Sequence, residues 1–296
     1  MPMVNVRIKE HIFIADSEQP LIDAVPDSTV MKGCLKGVCR VCRCKLKGGV
    51  VYESGNQVAI DKEFLPCISY AQSDVEIAPL VNNFSVAQLI TRNFLSENIV
   101  ELTFKIKRTF FSSKAIVNIK HPSEPLIRSY SVVSLGVKNY DFFVLHIKLR
   151  PNGIFSNLFE KLAIGDQLEY NLNNHIEPEY DKDISTLNIV SGGSGMGAAL
   201  TRGLDLIRKN PISKVNIYAI NRSVLSDYHQ HCLNVFREQV AAEVNIINIP
   251  FCTWTNNGFD FSNYLDSHEL TVGVGSTPII NKILNQPLCE LESFGP

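Results

Sequence analysis

Hydrophobic and polar positions alternate with a period of two near both ends of the first ~80 residues. Val4–Ile8 and His11–Ala15 predict a hairpin, Leu21–Val25 a short helix, and Cys44–Lys47, Val50–Tyr52 and Val75–Ala78 further strands. From Phe84 the chain changes to short β-rich runs separated by turn residues: Ser85–Thr91, Ile99–Ile106, Ile116–Ile119, Tyr130–Val133, Phe142–Ile147 and Gln167–Tyr170. Such regular short strands predict an antiparallel barrel, with one helix, Ile154–Lys161, opened by Asn152 and Gly153. From about Asp183 the pattern becomes α/β. A compact apolar strand, Thr186–Val190, leads into a glycine-rich run and a helical run, Ala198–Arg208. The strands Val215–Ile220, Val244–Ile249 and Leu270–Val274 follow, with helices including Asp227–Gln239 between them. That order predicts a doubly wound parallel sheet whose ligand crevice lies at the carboxyl ends of its strands. The predicted fold class is therefore multidomain, α+β and α/β, with divisions at 1–81, 82–182 and 183–296.

A length of 296 residues agrees with two or three domains. Hydrophobic residues make up 45% and charged residues 20%, an ordinary globular balance. The net charge of −2 gives no bulk electrostatic argument for a nucleic acid or a membrane surface, and neither is expected as a partner. No apolar run approaches the ~20 residues of a membrane-spanning helix, and MPMVNVRIKEHIF lacks a signal-peptide pattern. The expected location is the cytoplasm.

Cysteine sharpens the picture. Of the eight, Cys34, Cys39, Cys42 and Cys44 crowd one loop and Cys67 follows, whereas Cys232, Cys252 and Cys289 are scattered. Cys34, Cys39 and Cys42 stand at C-x4-C-x2-C with Cys67 after a longer gap, the plant-type spacing for a [2Fe–2S] cluster. One iron takes two thiolates and the other iron the remaining two, while a short loop turns its amides toward the sulfurs. Gly37 allows a close backbone approach. The alternative is structural zinc, which usually takes two C-x2-C knuckles; this loop has one. Cys44 reads as a spare on an outgoing strand, pointing into a small core.

Three further motifs carry chemistry. In Arg128-Ser129-Tyr130-Ser131 the arginine and tyrosine share one face of a strand. The guanidinium can clamp a phosphate, the ring can stack on a flat ligand, and Ser131 can hydrogen-bond a ring nitrogen. Gly153-x-x-Ser156 puts a glycine and a hydroxyl at a helix N-terminus, an anion site. In Ser191-Gly192-Gly193-Ser194-Gly195-Met196-Gly197, between strand and helix, backbone amides and the helix dipole form a phosphate cradle, although tight packing also selects glycine. The seven histidines show no paired metal spacing beyond His229 and His231, which read as a helix surface.

Residues 1 to about 80, with LPCISYAQSDVEI around Cys67, resemble a plant-type ferredoxin domain of the β-grasp kind. Arg40 departs from the small residue usual there. The loop is basic, with Lys32, Lys36, Arg40, Arg43, Lys45 and Lys47, which reads either as a solvated face or as a rim docking an acidic electron acceptor. The barrel and α/β motifs, in this order, resemble the ferredoxin–NADP reductase superfamily. That resemblance implies that Arg128, Tyr130 and Ser131 hold the phosphate, ring and N5 edge of FAD. His146, Ile147 and Lys148 would face its pyrophosphate, and Gly153 and Ser156 would complete the site. Gly192, Gly193, Ser194 and Gly195 would cradle the nicotinamide pyrophosphate. Gly275 and Pro278 would lie beside the nicotinamide, and Phe294 would shield the flavin or merely pack. Departures are the missing Gly-Gln pair in Ala115–Lys120, Ala198 for a proline and Val274 for a cysteine. Arg222, after the strand Val215–Ile220, favours NADPH, but the three-part layout resembles NADH-using reductases, and NADH is the expected coenzyme.

The order ferredoxin, flavin, nicotinamide resembles the reductase component of multicomponent aromatic or alkane oxygenases. The implied partner is an oxygenase or an intermediate ferredoxin. A reductase for another iron–sulfur or radical enzyme, such as a deoxysugar dehydratase, is the alternative within the class. A non-catalytic [2Fe–2S] carrier and a zinc scaffold lie outside it.

Overall fold

The computed structural model describes residues 2–135, 140–174, 184–222, 226–256, 260–261 and 269–283, and the backbone of 289–294. In chain order the first strands are β1 (Met3–Ile8), β2 (His11–Asp16), β3 (Cys44–Gly48), β4 (Val51–Glu53), β5 (Asn56–Gln57), β6 (Glu63–Phe64), β7 (Ser69–Ala71) and β8 (Val75–Pro79). The middle of the chain supplies β9 (Ser85–Ser96), β10 (Ile99–Lys105), β11 (Ile116–Lys120), β12 (Ile127–Ser131), β13 (Phe142–Lys148), helix α1 (Ile154–Lys161) and β14 (Gln167–Asn173). The last third supplies β15 (Thr186–Gly192), α2 (Met196–Lys209), β16 (Lys214–Asn221), α3 (Asp227–Arg237), β17 (Glu243–Pro250), β18 (Leu270–Ser276) and β19 (Cys289–Phe294). Two compact units result. One holds Met1–Ser85, Ile116–Ser129 and Glu169–Asn173; the other holds Val86–Ala115, Tyr130–Leu168 and Asn174–Pro296.

In the first unit the alternation of β1 buries Val4, Val6 and Ile8. Its ladder with β2 runs from Met3 opposite Asp16 to Ile8 opposite His11, closed by a tight turn in which Lys9 adopts φ 54°. The five-stranded sheet has the order β2-β1-β8-β3-β6, with β1 and β8 parallel. The smaller sheet is β5-β4-β7. The helix expected at Leu21–Val25 is only a 3-10 turn, Leu21–Ala24. Pro20 and Pro26 flank it and leave no room for further turns. Leu21 and Ile22 still enter the core with Cys44, Leu46, Phe64 and Ile77. Within the same unit β11 pairs antiparallel with β14, Ile116 opposite Asn173 through Ile119 opposite Tyr170.

In the second unit β10 pairs antiparallel with both β9 and β13. The strand expected at Tyr130–Val133 ends earlier, at Ser131. Val132 instead donates to the Ala115 carbonyl, and Val133 bridges to Val144. The α/β part is a parallel sheet of order β17-β16-β15-β18-β19. Leu187, Ile189 and Val190 on β15 and Leu270, Val272 and Val274 on β18 are fully buried, as strands covered on both faces require. α2 begins at Met196, two residues before the predicted helical run, because the glycine turn winds directly into it through a 3-10 turn, Gly193–Gly195.

Candidate functional site

The cysteine loop owes its shape to residues in the left-handed region: Leu35 (φ 57°), Gly37 (φ 76°) and Arg40 (φ 56°). Gly37 is required twice over, since a Cβ there would meet Ile68 Cδ1 at 2.8 Å. Arg40 tolerates the same backbone at a steric cost, which gives the departure noted above a physical meaning. With the chain turned this way, amides point at sulfur. The Lys36 and Cys39 amides donate to Cys34 Sγ at 3.4 and 3.2 Å, and the Cys34 amide donates to Cys39 Sγ at 3.2 Å. Cys42 Sγ and Cys67 Sγ lie 3.4 Å apart. The Cys39 thiol hydrogen-bonded to Cys34 holds the latter's pKa down at about 5, and raises its own. Cys67 likewise lowers Cys42 through the thiol contact and is itself raised. The four sulfurs thus form two pairs, Cys34 with Cys39 and Cys42 with Cys67, each poised to yield thiolate toward a cation. Among the described residues no group of three or more His, Cys, Asp or Glu is set around a single metal ion. Two sulfurs per metal, with amides aimed at them, fits a two-iron cluster. Cys44 is buried at the start of β3, its thiol pushed up to about 12 by burial.

The basic rim is partly neutralised. Lys32 pairs with Asp27 at 2.9 Å, Arg43 with Glu63 at 3.8 Å and Lys47 with Asp61 at 2.6 Å.

On β12 Arg128 is exposed, while Tyr130 and Ser131 are half-buried. The Tyr130 ring packs on α1, edge-on to Phe159 at 5.5 Å and tilted to Phe155 at 6.4 Å. α1 is capped by Gly153, which brings no side chain to its first amides. The Ser156 hydroxyl accepts the Arg150 amide at 2.8 Å and so shapes the loop before the helix. Ile147 is a core residue of β13. Lys148 is exposed at the end of β13; burial lowers its pKa, and the charges of Arg222 and Arg150 lower it further. Three cations therefore share one neighbourhood, a setting that favours anions such as phosphates.

His146 is placed differently from its neighbours. Its side chain is only 2% exposed. Nε2 lies 3.1 Å from Glu101 Oε2 and Nδ1 lies 3.1 Å from Tyr228 Oη. The His146 hydrogen bond holds Glu101 below the usual carboxylate range. Tyr228 in turn accepts the Gly197 amide at 3.0 Å and donates to the Ser194 carbonyl at 3.1 Å. Gly197 must be glycine, since a Cβ would run into the His146 ring. His229, read from sequence as surface, is 4% exposed. Its Nε2 donates to the Gly193 carbonyl at 3.1 Å, and the Ser226 hydroxyl lies 3.2 Å from its Nδ1. His231 is exposed and lines a cavity of about 150 Å³ with Glu101, Ser134 and His146. The glycine turn (Gly192, Gly193, Ser194, Gly195) thus hangs from two adjacent side chains of α3. The N-cap Gly195 brings no side chain to α2's first turn, where the Tyr228 hydroxyl already takes the Gly197 amide.

Gly275 is buried at the end of β18 and Pro278 is exposed in the next turn, whose carbonyl accepts Trp254 Nε1 at 3.3 Å. Phe294 lies on the backbone of β19; its side chain, like Ser223, His175 and His268, falls outside the described residues.

A family described as oxidoreductase FAD-binding domain matches residues 86–171. No curated protein matches. Among solved structures, the ferredoxin reductase in carbazole 1,9a-dioxygenase shares 15% identity over 99% of both chains, with a TM-score of 0.59. The Amycolatopsis cytochrome P450 reductase GcoB shares 15% identity over 97% of this chain and 99% of its own, with a TM-score of 0.57. Phthalate dioxygenase reductase, described as a modular structure for electron transfer from pyridine nucleotides to [2Fe–2S], shares 16% identity over 72% of this chain and 68% of its own, at 0.54. At these identities the likeness is one of fold, spanning nearly the whole chain for the first two structures and 72% of it for the third.

Proposed function

We propose that this protein is a flavin and iron–sulfur oxidoreductase that takes a hydride from NADH onto FAD. It would deliver single electrons through a [2Fe–2S] cluster to an oxygenase component or an intermediate ferredoxin. The observation that carries the reading is the pairing of Cys34 with Cys39 and Cys42 with Cys67, amides turned inward. It stands in a chain whose residues 86–171 match an oxidoreductase FAD-binding domain. Bound flavin converts a two-electron hydride into single electrons, and a cluster carries them one at a time.

The chain's own residues hold and orient. Arg128 would bind the FAD phosphate, Tyr130 would flank the ring, and Ser131 would meet its N5 edge. Lys148 and the open N-terminus of α1 would receive the pyrophosphate, with His146 acting behind the site through Tyr228. Gly192, Gly193, Ser194 and Gly195 would cradle the coenzyme pyrophosphate, Arg222 its ribose end, Gly275 and Pro278 its nicotinamide, and Phe294 would cover the flavin. None needs to act as acid, base or nucleophile in the hydride step. Ferredoxin-like, flavin and nicotinamide domains would divide at 81 and 182. Free cysteines clustered in this way suit a reducing cytoplasm. The acceptor would dock over the basic rim of Lys32, Lys36, Arg40, Arg43, Lys45 and Lys47.

The test is the visible spectrum of the purified protein, followed by anaerobic NADH. Flavin and iron–sulfur bands that bleach together are expected. Iron–sulfur bands without flavin, or no bleaching by either coenzyme, would reduce the chain to a carrier. NADPH preferred by a large factor in kcat/KM would overturn the coenzyme assignment alone.

A further inference from the structure

Three asparagine side chains donate into the cysteine loop, Asn118 from β11, Asn173 from β14 and Asn82 from the segment after β8, with Asn171 and Ser129 bracing them. Asn118 stands inside β11 and is fully buried, where its neighbours Ile116, Val117 and Ile119 are apolar. A buried amide is costly unless its hydrogen bonds are made, and those of Asn118 are. Its Nδ2 donates to the Cys39 carbonyl at 3.1 Å, with Asn171 Oδ1 at 3.4 Å, and its Oδ1 accepts from Ser129 Oγ at 2.7 Å. Asn173 on β14 donates to the same Cys39 carbonyl at 2.8 Å and to Asn171 Oδ1 at 2.9 Å. Asn171 donates to the Asn83 carbonyl at 2.8 Å, and Asn82 to the Val41 carbonyl at 2.7 Å. Both lone pairs of the Cys39 carbonyl are therefore used. Around this network Cys39 and Val41 pack with Ile127 and Phe84.

The loop itself has no β ladder between Val30 and Cys44 and turns through three left-handed residues. Its position over the strands is set by these side-chain donors. Ser129 lies between Arg128 and Tyr130 in the sequence, so an unbroken line of hydrogen bonds runs from the Arg128 strand through Ser129 and Asn118 to Cys39.

We propose that Asn118 and Asn173 are positioning residues for electron transfer, clamping the Cys39 carbonyl so that the cluster-holding loop keeps a fixed distance from the Arg128–Ser129 segment of β12, whose arginine would bind the flavin phosphate. This rests on the function proposed above. Electron tunnelling falls steeply with distance, so a loop that drifts slows transfer without altering the chemistry at either end.

The experiment uses the full-length protein as purified, with Asn173→Ala, Asn118→Leu and Asn173→Gln, the last keeping an amide donor. Hydrogen exchange of residues 33–43 reports the clamp whether or not any cofactor is bound. Anaerobic stopped-flow with NADH separates flavin reduction from the cluster bleaching that follows. Expected are faster exchange in Asn173→Ala and Asn118→Leu, cluster bleaching slowed roughly tenfold, flavin reduction unchanged, and partial recovery in Asn173→Gln. Unchanged exchange in Asn173→Ala overturns the clamp. Faster exchange with unaltered bleaching, or both kinetic steps slowed alike, overturns the positioning role. Should Asn118→Leu fail to fold, Asn173→Ala on its half-exposed site decides. A wild-type protein without flavin or iron–sulfur bands defeats the function reading and the positioning role with it, while the exchange result still decides whether the clamp exists.

Discussion

Two loops in this molecule are proposed to hold a charged group, and they are built in opposite ways. The cysteine loop makes its own ligands: four thiols sit within it or, as Cys67, beside it, and left-handed residues aim its amides at their sulfurs. The glycine turn has almost no side chains and borrows its rigidity from α3, where Tyr228 and His229 hold the Gly197 amide and the Ser194 and Gly193 carbonyls. A loop that binds through side chains must fix those side chains. A loop that binds through bare backbone must instead be fixed from outside, because any side chain of its own would fill the space the ligand needs. The first kind fails when a ligand atom is removed, and the second when a support is removed.

The sharpest way to break the comparison is therefore Cys42→Ser. In the proposed cluster, loss of one sulfur from the Cys42 and Cys67 pair would leave an iron one thiolate short. The expected outcome is essentially complete loss of iron and of iron–sulfur absorbance, with flavin content and flavin reduction by NADH retained. Iron content and the visible spectrum check it. Cys44→Ser, on the strand beyond the loop, should keep its iron; if it does not, the pairing given above is wrong.

A smaller effect is expected on the other side. Tyr228→Phe removes the hydroxyl that accepts the Gly197 amide and neighbours His146 Nδ1. A buried N–H left without a partner costs about 1–3 kcal/mol. The coenzyme KM should rise roughly tenfold if a substantial part of that cost falls on the coenzyme-ready turn, with iron content unchanged. Titration of flavin reduction against NADH concentration measures this, and an unchanged KM would mean that α3 supports the fold but not the cradle.

The two loops also differ in how far the sequence discloses them. C-x4-C-x2-C and the isolated Cys67 named the four cysteines that the fold brings into two pairs, because the spacing that brings three of them together is local. The glycine run marked the turn, but not what holds it. His229 was legible in principle: Tyr228, His229, Cys232, Leu233 and Phe236 form the buried stripe of α3 at helical spacing, and a histidine inside such a stripe is not a surface residue. Asn118 left a similar trace, one amide in a run of apolar strand positions. The partners themselves were not legible. Glu101 and His146 meet from strands 45 residues apart, and Asn173 reaches Cys39 across 134, separations that local periodicity does not encode. The displaced end of β12 has the same origin, since Val133 exchanges one neighbouring strand for another.

The finest test concerns pH, where the glycine turn should be sensitive through a group that its own residues lack. Burial lowers the pKa of His229, and the hydrogen bond to the Gly193 carbonyl only partly opposes it. The unfolded chain therefore takes up a proton near the ordinary histidine value of about 6.5 that the folded chain refuses. Stability from this group is fully present above that pH and is lost as pH falls from it toward the lowered folded value. Protonation would also give Nδ1 a hydrogen facing the Ser226 hydroxyl, so that the hydroxyl could no longer donate to Nδ1 and its own hydrogen would have to turn away. His229→Gln keeps a donor for Gly193 but does not titrate. Melting temperatures of the two proteins should run parallel above pH 7 and converge by about 2 °C as pH falls to 5.5, wild type losing more than the variant. Curves that stay parallel throughout would show that His229 keeps its proton balance on unfolding.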